Sequence, residues 1–198
     1  MENSSQAQME EKSIAGVDVS YSGEKGIACA VLVLFPGLKL MGVSYYSGTP
    51  DFPYVPGFLA LREGLLCAMA VKGLSQKPDL LFVDGAGSAH PFNYGLATFL
   101  EQELGIPSVG ITKKPFVGEF SPPDRERGSF SYLCLNGKRI GAALRTQDGV
   151  RELFVSPGER LSIEEAVRWT LLLSRYRKPE PIRLAHQLSR IACQKLEQ

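Results

Sequence analysis

The chain has 198 residues, of which 44% are hydrophobic and 22% charged, with a formal net charge of +1. That length suggests one domain able to bury a core without disulfide or metal staples, and the near-neutral total excludes a global field that would attract polyanions. No apolar run approaches the ~18 residues of a membrane span, and the polar start "MENSSQAQMEEKS" has no signal-peptide core, so a cytoplasmic protein is expected, with residues 1–13 as a flexible tail.

The first element is "SIAGVDVSY". Ala15, Val17 and Val19 alternate with Gly16, Asp18 and Ser20, the period of a strand. "KGIACAVLVLF" and "KLMGVSYYS" follow after short glycine-containing loops, which predicts three antiparallel strands. "TPDFPYVPG" is a proline-rich loop, and "FLALREGLLCAMAVKGL" predicts a helix, apolar on nearly every side and therefore largely buried. "DLLFVDG" is a short continuous apolar strand, "NYGLATFLEQELG" a second helix closed by glycine, and "IPSVGIT" another buried strand. "KRIGAALRT" and "RELFVS" flank "QDG" as a late hairpin. "SIEEAVRWTLLLSRYR" opens with a capping box, Ser162 with Glu165. "KPEP" breaks that helix, and "IRLAHQLSRIACQKLE" makes the last one. Helices between strands imply parallel crossovers. The expected fold is α/β: a mixed sheet of three antiparallel strands followed by parallel crossovers, with helices on both faces.

Cys29, Cys67, Cys134 and Cys193 form no CxxC pair and sit mostly in apolar runs, which argues against zinc and for thiols in a reducing compartment. From Arg168 to the C-terminus the chain carries seven basic and two acidic residues. A basic end on a neutral protein points to a polyanionic partner, or to a solvated helical face.

Three carboxylates have no local structural purpose. Asp18 interrupts a strand, where aspartate is disfavoured, and burial would require a partner. Glu63 shares its helical face with Leu59, Ala60, Leu66 and Cys67, so it calls for a cation. Asp84 ends a buried strand, the place where ligands bind in α/β sheets, although Asp-Gly is also a routine turn. If the two strands are neighbours, the three acids converge. Unit charges ~4 Å apart repel by roughly 4 kcal/mol per pair at an effective dielectric of 20. Oxygen ligands then select a hard divalent ion, which brings phosphate and water together for attack on a phosphodiester. A phosphate-loop reading of "GAGSAH" fails at its third glycine position, where His90 stands.

Together "GVDVSY", "PYVPGFLALRE", "PDLLFVDGAGSAHP", "GITKK" and "PEPIRLAH" resemble the endonuclease V family over about residues 14–186, in the family's order. The resemblance implies an RNase H-like fold for a single catalytic domain at 14–198. It also implies an Mg²⁺-dependent endonuclease, with Mn²⁺ able to substitute. Such an enzyme cuts single-stranded or locally unpaired DNA or RNA at the second phosphodiester 3′ to inosine, leaving a 3′-hydroxyl and a 5′-phosphate, and a monomer is expected. By motif, Asp18, Glu63 and Asp84 match the metal-binding acids. His186 matches a histidine near the metal and phosphate, and Lys113 a lysine near the reacting oxyanion. Tyr54 with Pro56 matches the wedge that replaces an extruded base. Gly57 and Gly85 would approach that base, and His90 lies near the site or orients its loop. On the last helix Arg183, Ser189 and Arg190 are expected beside His186, with Leu184, Leu188 and Ile191 opposite, and Arg183 and Arg190 are expected to meet phosphates. Many relatives carry arginine after "HP", where this chain has Phe92 and Asn93, which cannot make the same phosphate contacts.

Overall fold

The computed structural model describes residues 10–196. The three predicted N-terminal strands are β1 (Lys12–Ser22), β2 (Lys25–Phe35) and β3 (Lys39–Gly48), each antiparallel to the next. Helix α1 (Leu59–Lys72), β4 (Leu80–Asp84), α2 (Leu96–Leu104) and β5 (Ser108–Thr112) follow, with β4 parallel to both β1 and β5. Then come β6 (Phe130–Leu135), β7 (Lys138–Leu144), β8 (Leu153–Pro157), α3 (Ile163–Leu173) and α4 (Glu180–Leu196). The strands form one eight-stranded mixed sheet in the order β3-β2-β1-β4-β5-β8-β7-β6.

Alternation along the strands sorts the core into two layers. Ala15, Val17, Leu81 and Val83 face Leu66, Cys67 and Val71 of α1 and Leu96 and Leu100 of α2. Ile14, Leu80, Phe82 and Ile111 face Ala166 and Leu173 of α3 and Ile182 of α4. Helices therefore cover both faces, as the α/β reading expected. Because β1 and β4 are paired through Val17 and Val83, the next residues on each, Asp18 and Asp84, emerge side by side where the pairing ends.

Several local expectations need correction. The tail was expected to run to residue 13, yet β1 begins at Lys12, and Ser13 is tied to Asp79 by two hydrogen bonds of 2.8 Å; only 1–9 of it lies outside the described residues. Helix α1 is not buried all round, since Leu61 and Leu65 are 58% and 65% exposed. β6 was not expected. It is an edge strand with Leu133 alone fully buried, so it shows little apolar pattern. The late hairpin does form, β7 against β8, and β8 also pairs antiparallel with β5. Helix α3 has the predicted capping box but stops at Leu173 rather than Arg177. The Arg127 guanidinium donates to the carbonyls of Leu171 and Ser174, and Gln147 also donates to Ser174, so these two carbonyls at the helix end are satisfied. No helix among the described residues is long and apolar enough to cross a membrane.

Candidate active site

Gly16, Asp18 and Ser20 of β1 all face α4, and each meets a successive part of that helix. A Cβ at Gly16 would run into the backbone of Pro181, so this glycine sets how close the helix lies. Asp18 accepts a hydrogen bond from His186 Nδ1 at 2.8 Å and one from Ser189 Oγ at 3.3 Å. Ser20 and Ser189 share a hydrogen bond of 2.8 Å. Ser189 thus stands beside His186 as expected, but Ile191 on the same helix is 40% exposed rather than packed.

Asp84 stands on the same face of the sheet as Asp18. Ligand atoms of Asp18, Asp84 and His186 lie within 4.8 Å of one another. Burial raises the Asp18 carboxyl above its usual range, and the charge of Asp84 adds to this; the hydrogen bond from His186 and the charges of His186 and Lys178 oppose it. Two like charges held this close, one of them destabilised by burial, are the donor set a divalent cation would relieve.

The tight cluster is not the expected trio of acids. Glu63 lies outside it, and topology gives the reason. Asp18 and Asp84 point toward the α4 layer, whereas Glu63 rides on α1 on the opposite face and reaches over the strand ends. It still feels both aspartates. Burial pushes its carboxyl from 4.5 up to about 7, aided by the charges of Asp18 and Asp84. Arg62 and Tyr21 oppose the rise; the Tyr21 hydroxyl is itself buried without a well-formed hydrogen bond.

Lys178 completes the centre and was not anticipated. Its ammonium lies 2.6 Å from Asp84 Oδ2, with both side chains largely buried. The segment that carries it is fixed: Arg177 donates to the carbonyls of Arg151 and Glu152, and Thr146 donates to the carbonyl of Arg177. The only signal in the sequence was indirect, since clustered carboxylates require a cation and "KPEP" holds one.

Beside the cluster, beyond the ends of β4 and β5, lies a cavity of about 380 Å³ lined by Tyr54, Pro56, Gly57, Gly85, His90 and Phe116, among others. Tyr54 is 68% exposed at its mouth. Gly57 has φ +87°, a conformation that glycine adopts without strain. His90 is buried; its Nδ1 accepts from the Phe92 N–H at 3.3 Å, so Nε2 carries the proton donated to the Gly57 carbonyl at 2.9 Å. It therefore orients the loop, and its ring stacks on Phe116. Lys114 lines this cavity and Lys113 does not. Lys113 stands just past β5, on the continuation of the Val109 and Ile111 face that also carries Asp84. Phe58 and Phe92, at 40% and 69% exposed, pair with ring centroids 6.3 Å apart, and Phe92 lies 5.8 Å from the His90 ring, adding exposed aromatic surface.

The basic C-terminal region is less available than its charge count implied. Arg183 is held by both oxygens of Glu180 at 2.8 and 2.6 Å, which removes it as a free phosphate contact. Arg175 and Arg177 are spent on backbone carbonyls and Lys178 on Asp84. Arg190 is exposed and makes no ion pair among the described residues.

The α/β fold brings two aspartates and a histidine together at the end of a mixed sheet, beside an open cavity, in a group able to hold a divalent cation. The family model for Endonuclease V matches residues 1–187. The chain is 42% identical over 178 residues to the Endonuclease V of Dictyoglomus turgidum, covering 89% of this chain and 78% of that protein. The crystal structure of Endonuclease V from Streptomyces avermitilis superposes with a TM-score of 0.89 at 38% identity, covering 94% of this chain and 83% of that one. Endonuclease V of Ciona intestinalis, solved in complex with a 24mer DNA containing an inosine followed by a ribo-adenosine, shares the fold with a TM-score of 0.79 at 22% identity, over 94% of this chain and 88% of that one. The chain belongs to the endonuclease V family, and is thus a nuclease.

Proposed function

We propose that this protein is a divalent-metal-dependent endonuclease that cuts single-stranded or locally unpaired DNA or RNA at the second phosphodiester 3′ to inosine, leaving a 3′-hydroxyl and a 5′-phosphate. The observation that carries the reading is the Asp18–Asp84–His186 cluster set directly beside a cavity with an exposed tyrosine at its mouth. The relative from Ciona intestinalis, solved with inosine-containing DNA, supports the choice of base. Asp18 and Asp84 would hold Mg²⁺, or Mn²⁺ in its place, with Glu63 joining from α1. When bound, that ion brings phosphate and water together and offsets the charge growing on the phosphate oxygens.

The protein's own groups do the rest. With Nδ1 donating to Asp18, His186 keeps Nε2 free to take a proton from the attacking water. Lys113, on the face that carries Asp84, neutralises charge on the phosphoryl oxygens. Tyr54, stiffened by Pro53 and Pro56, fills the gap left by the extruded base. The backbone at Gly57 and Gly85 hydrogen-bonds the base in the cavity, so that bases leaving those groups unpaired are rejected. His90 holds that backbone in place. One chain supplies every group, which supports a monomer as the acting unit, working in the cytoplasm as a single catalytic domain. Asp84→Asn tests the reading: the variant should bind an inosine strand and fail to cut it. Retained cutting would show that the cluster is not the catalytic centre.

A further inference from the structure

Along one edge of the sheet the cavity sits at the ends of β4 and β5, and the aspartate cluster at the ends of β1 and β4. On the other side of the cluster, three adjoining depressions run on toward β2 and β3. The first is floored by Ser20 and Tyr21 with His186 and Arg190. The second shares His186, Arg190 and Gln194 with the first and adds Arg183, whose guanidinium is held by Glu180, with Gln187 and Ile191. The third shares Ile191 and ends at Lys25, Tyr45 and Lys195. Among the described residues, no aspartate or glutamate lines any of the three. Lys25, Arg190 and Lys195 are exposed, and none makes an ion pair among the described residues. Tyr45, 48% exposed, offers a ring at the far end.

We infer that this groove holds the nucleotides 3′ of the cleaved bond. The inference rests on the function proposed above, which supplies its polarity. If the inosine occupies the cavity and the bond cut lies 3′ to it at the cluster, the strand leaves the cluster on the side away from the cavity, which is the groove. A cationic groove with an aromatic platform fits a single strand: cations track the phosphates and the ring stacks on a base without sequence preference. From His186 to Lys195 the helix axis advances about 13 Å, enough for about four nucleotides at the ~3.4 Å rise of a stacked strand.

The test uses Asp84→Asn protein, so that substrate survives, and labelled single strands with one inosine. One series carries one to eight nucleotides beyond the cleavage position, and a second varies only the 5′ side. Affinity should rise with 3′ length up to about four nucleotides and then level off. In Asp84→Asn protein that also carries Lys25→Ala, Arg190→Ala and Lys195→Ala, that gain should vanish, the 5′ series should be unchanged, and the salt slope should drop by about 2, at ~0.7 per phosphate contact. No gain with 3′ length, a gain the multiple variant keeps, or a loss confined to the 5′ series would overturn the inference. Wild-type cutting of the same strands, run in parallel, reports on the function itself. Cutting with no 3′-length effect sinks the groove alone, whereas neither cutting nor preference for inosine sinks the function and the groove's polarity with it.

Discussion

Glu63 imposes a cost on the metal-free protein. Burial and the nearby aspartates lift its carboxyl from 4.5 to about 7 in the folded state, and unfolding returns it to the ordinary carboxylate range. Between those values the folded chain holds a proton that the unfolded chain has lost. The unfolded state therefore binds fewer protons, so stability falls as pH rises from about 4.5 to about 7, and the loss persists above that. Each pH unit in that window is worth about 1.4 kcal/mol, so the penalty reaches about 3 kcal/mol by pH 8. Glu63→Gln keeps the shape and removes the charge. Urea unfolding in EDTA should find the variant more stable than the parent by about 3 kcal/mol at pH 8 and nearly equal to it at pH 4.5. Saturating Mg²⁺ should then stabilise the parent more than the variant. A variant whose advantage at pH 8 is no larger than at pH 4.5 would refute the burial argument.

Lys178→Met removes the ammonium that competes for Asp84; calorimetric titration should show Mg²⁺ binding tightened at least several-fold, and weakened binding would mean that Lys178 supports the site instead. Gly16→Ala forces a methyl group against Pro181. It should cost about 1–3 kcal/mol and move the His186 ring resonances, leaving those of His90 in place; unchanged His186 signals would contradict the close-approach role of Gly16. Tyr54→Ala, at an exposed loop position, should change stability by less than about 0.5 kcal/mol while slowing cleavage of inosine within a duplex about tenfold or more, the scale of one lost stacking contact. Equal slowing on an unpaired strand would count against a wedge.

The sheet and its two aspartates were legible because the evidence for them is local. Alternation along β1 identifies the face of Asp18, and the apolar run of β4 ends visibly at Asp84. That the two meet follows from parallel pairing through Val17 and Val83, a pairing the crossover through α1 makes natural. What failed was whatever depends on which partner a side chain finds, near or distant in sequence. Lys178 meets Asp84 across 94 positions, and nothing beside either residue encodes that contact. Arg183 was read as a free cation because its helical face was right, but Glu180, three residues earlier, takes the guanidinium. Glu63 was identified correctly as a carboxylate in an apolar stripe, yet the face on which α1 packs puts it across the strand ends from the aspartates. β6 escaped notice because an edge strand with one fully buried residue resembles a loop.

If the paired aspartates hold the metal for the proposed reaction, a strand is cut at a fixed offset from inosine. The most direct test is cleavage of matched end-labelled single strands, one DNA and one RNA, each with a single inosine, in Mg²⁺ and in EDTA. Cutting is expected in Mg²⁺ alone, at the second phosphodiester 3′ to the inosine, with the faster strand identifying the principal substrate. Cutting that persists in EDTA, falls at another position, or is equal on strands with adenosine in place of inosine would contradict the proposed reaction.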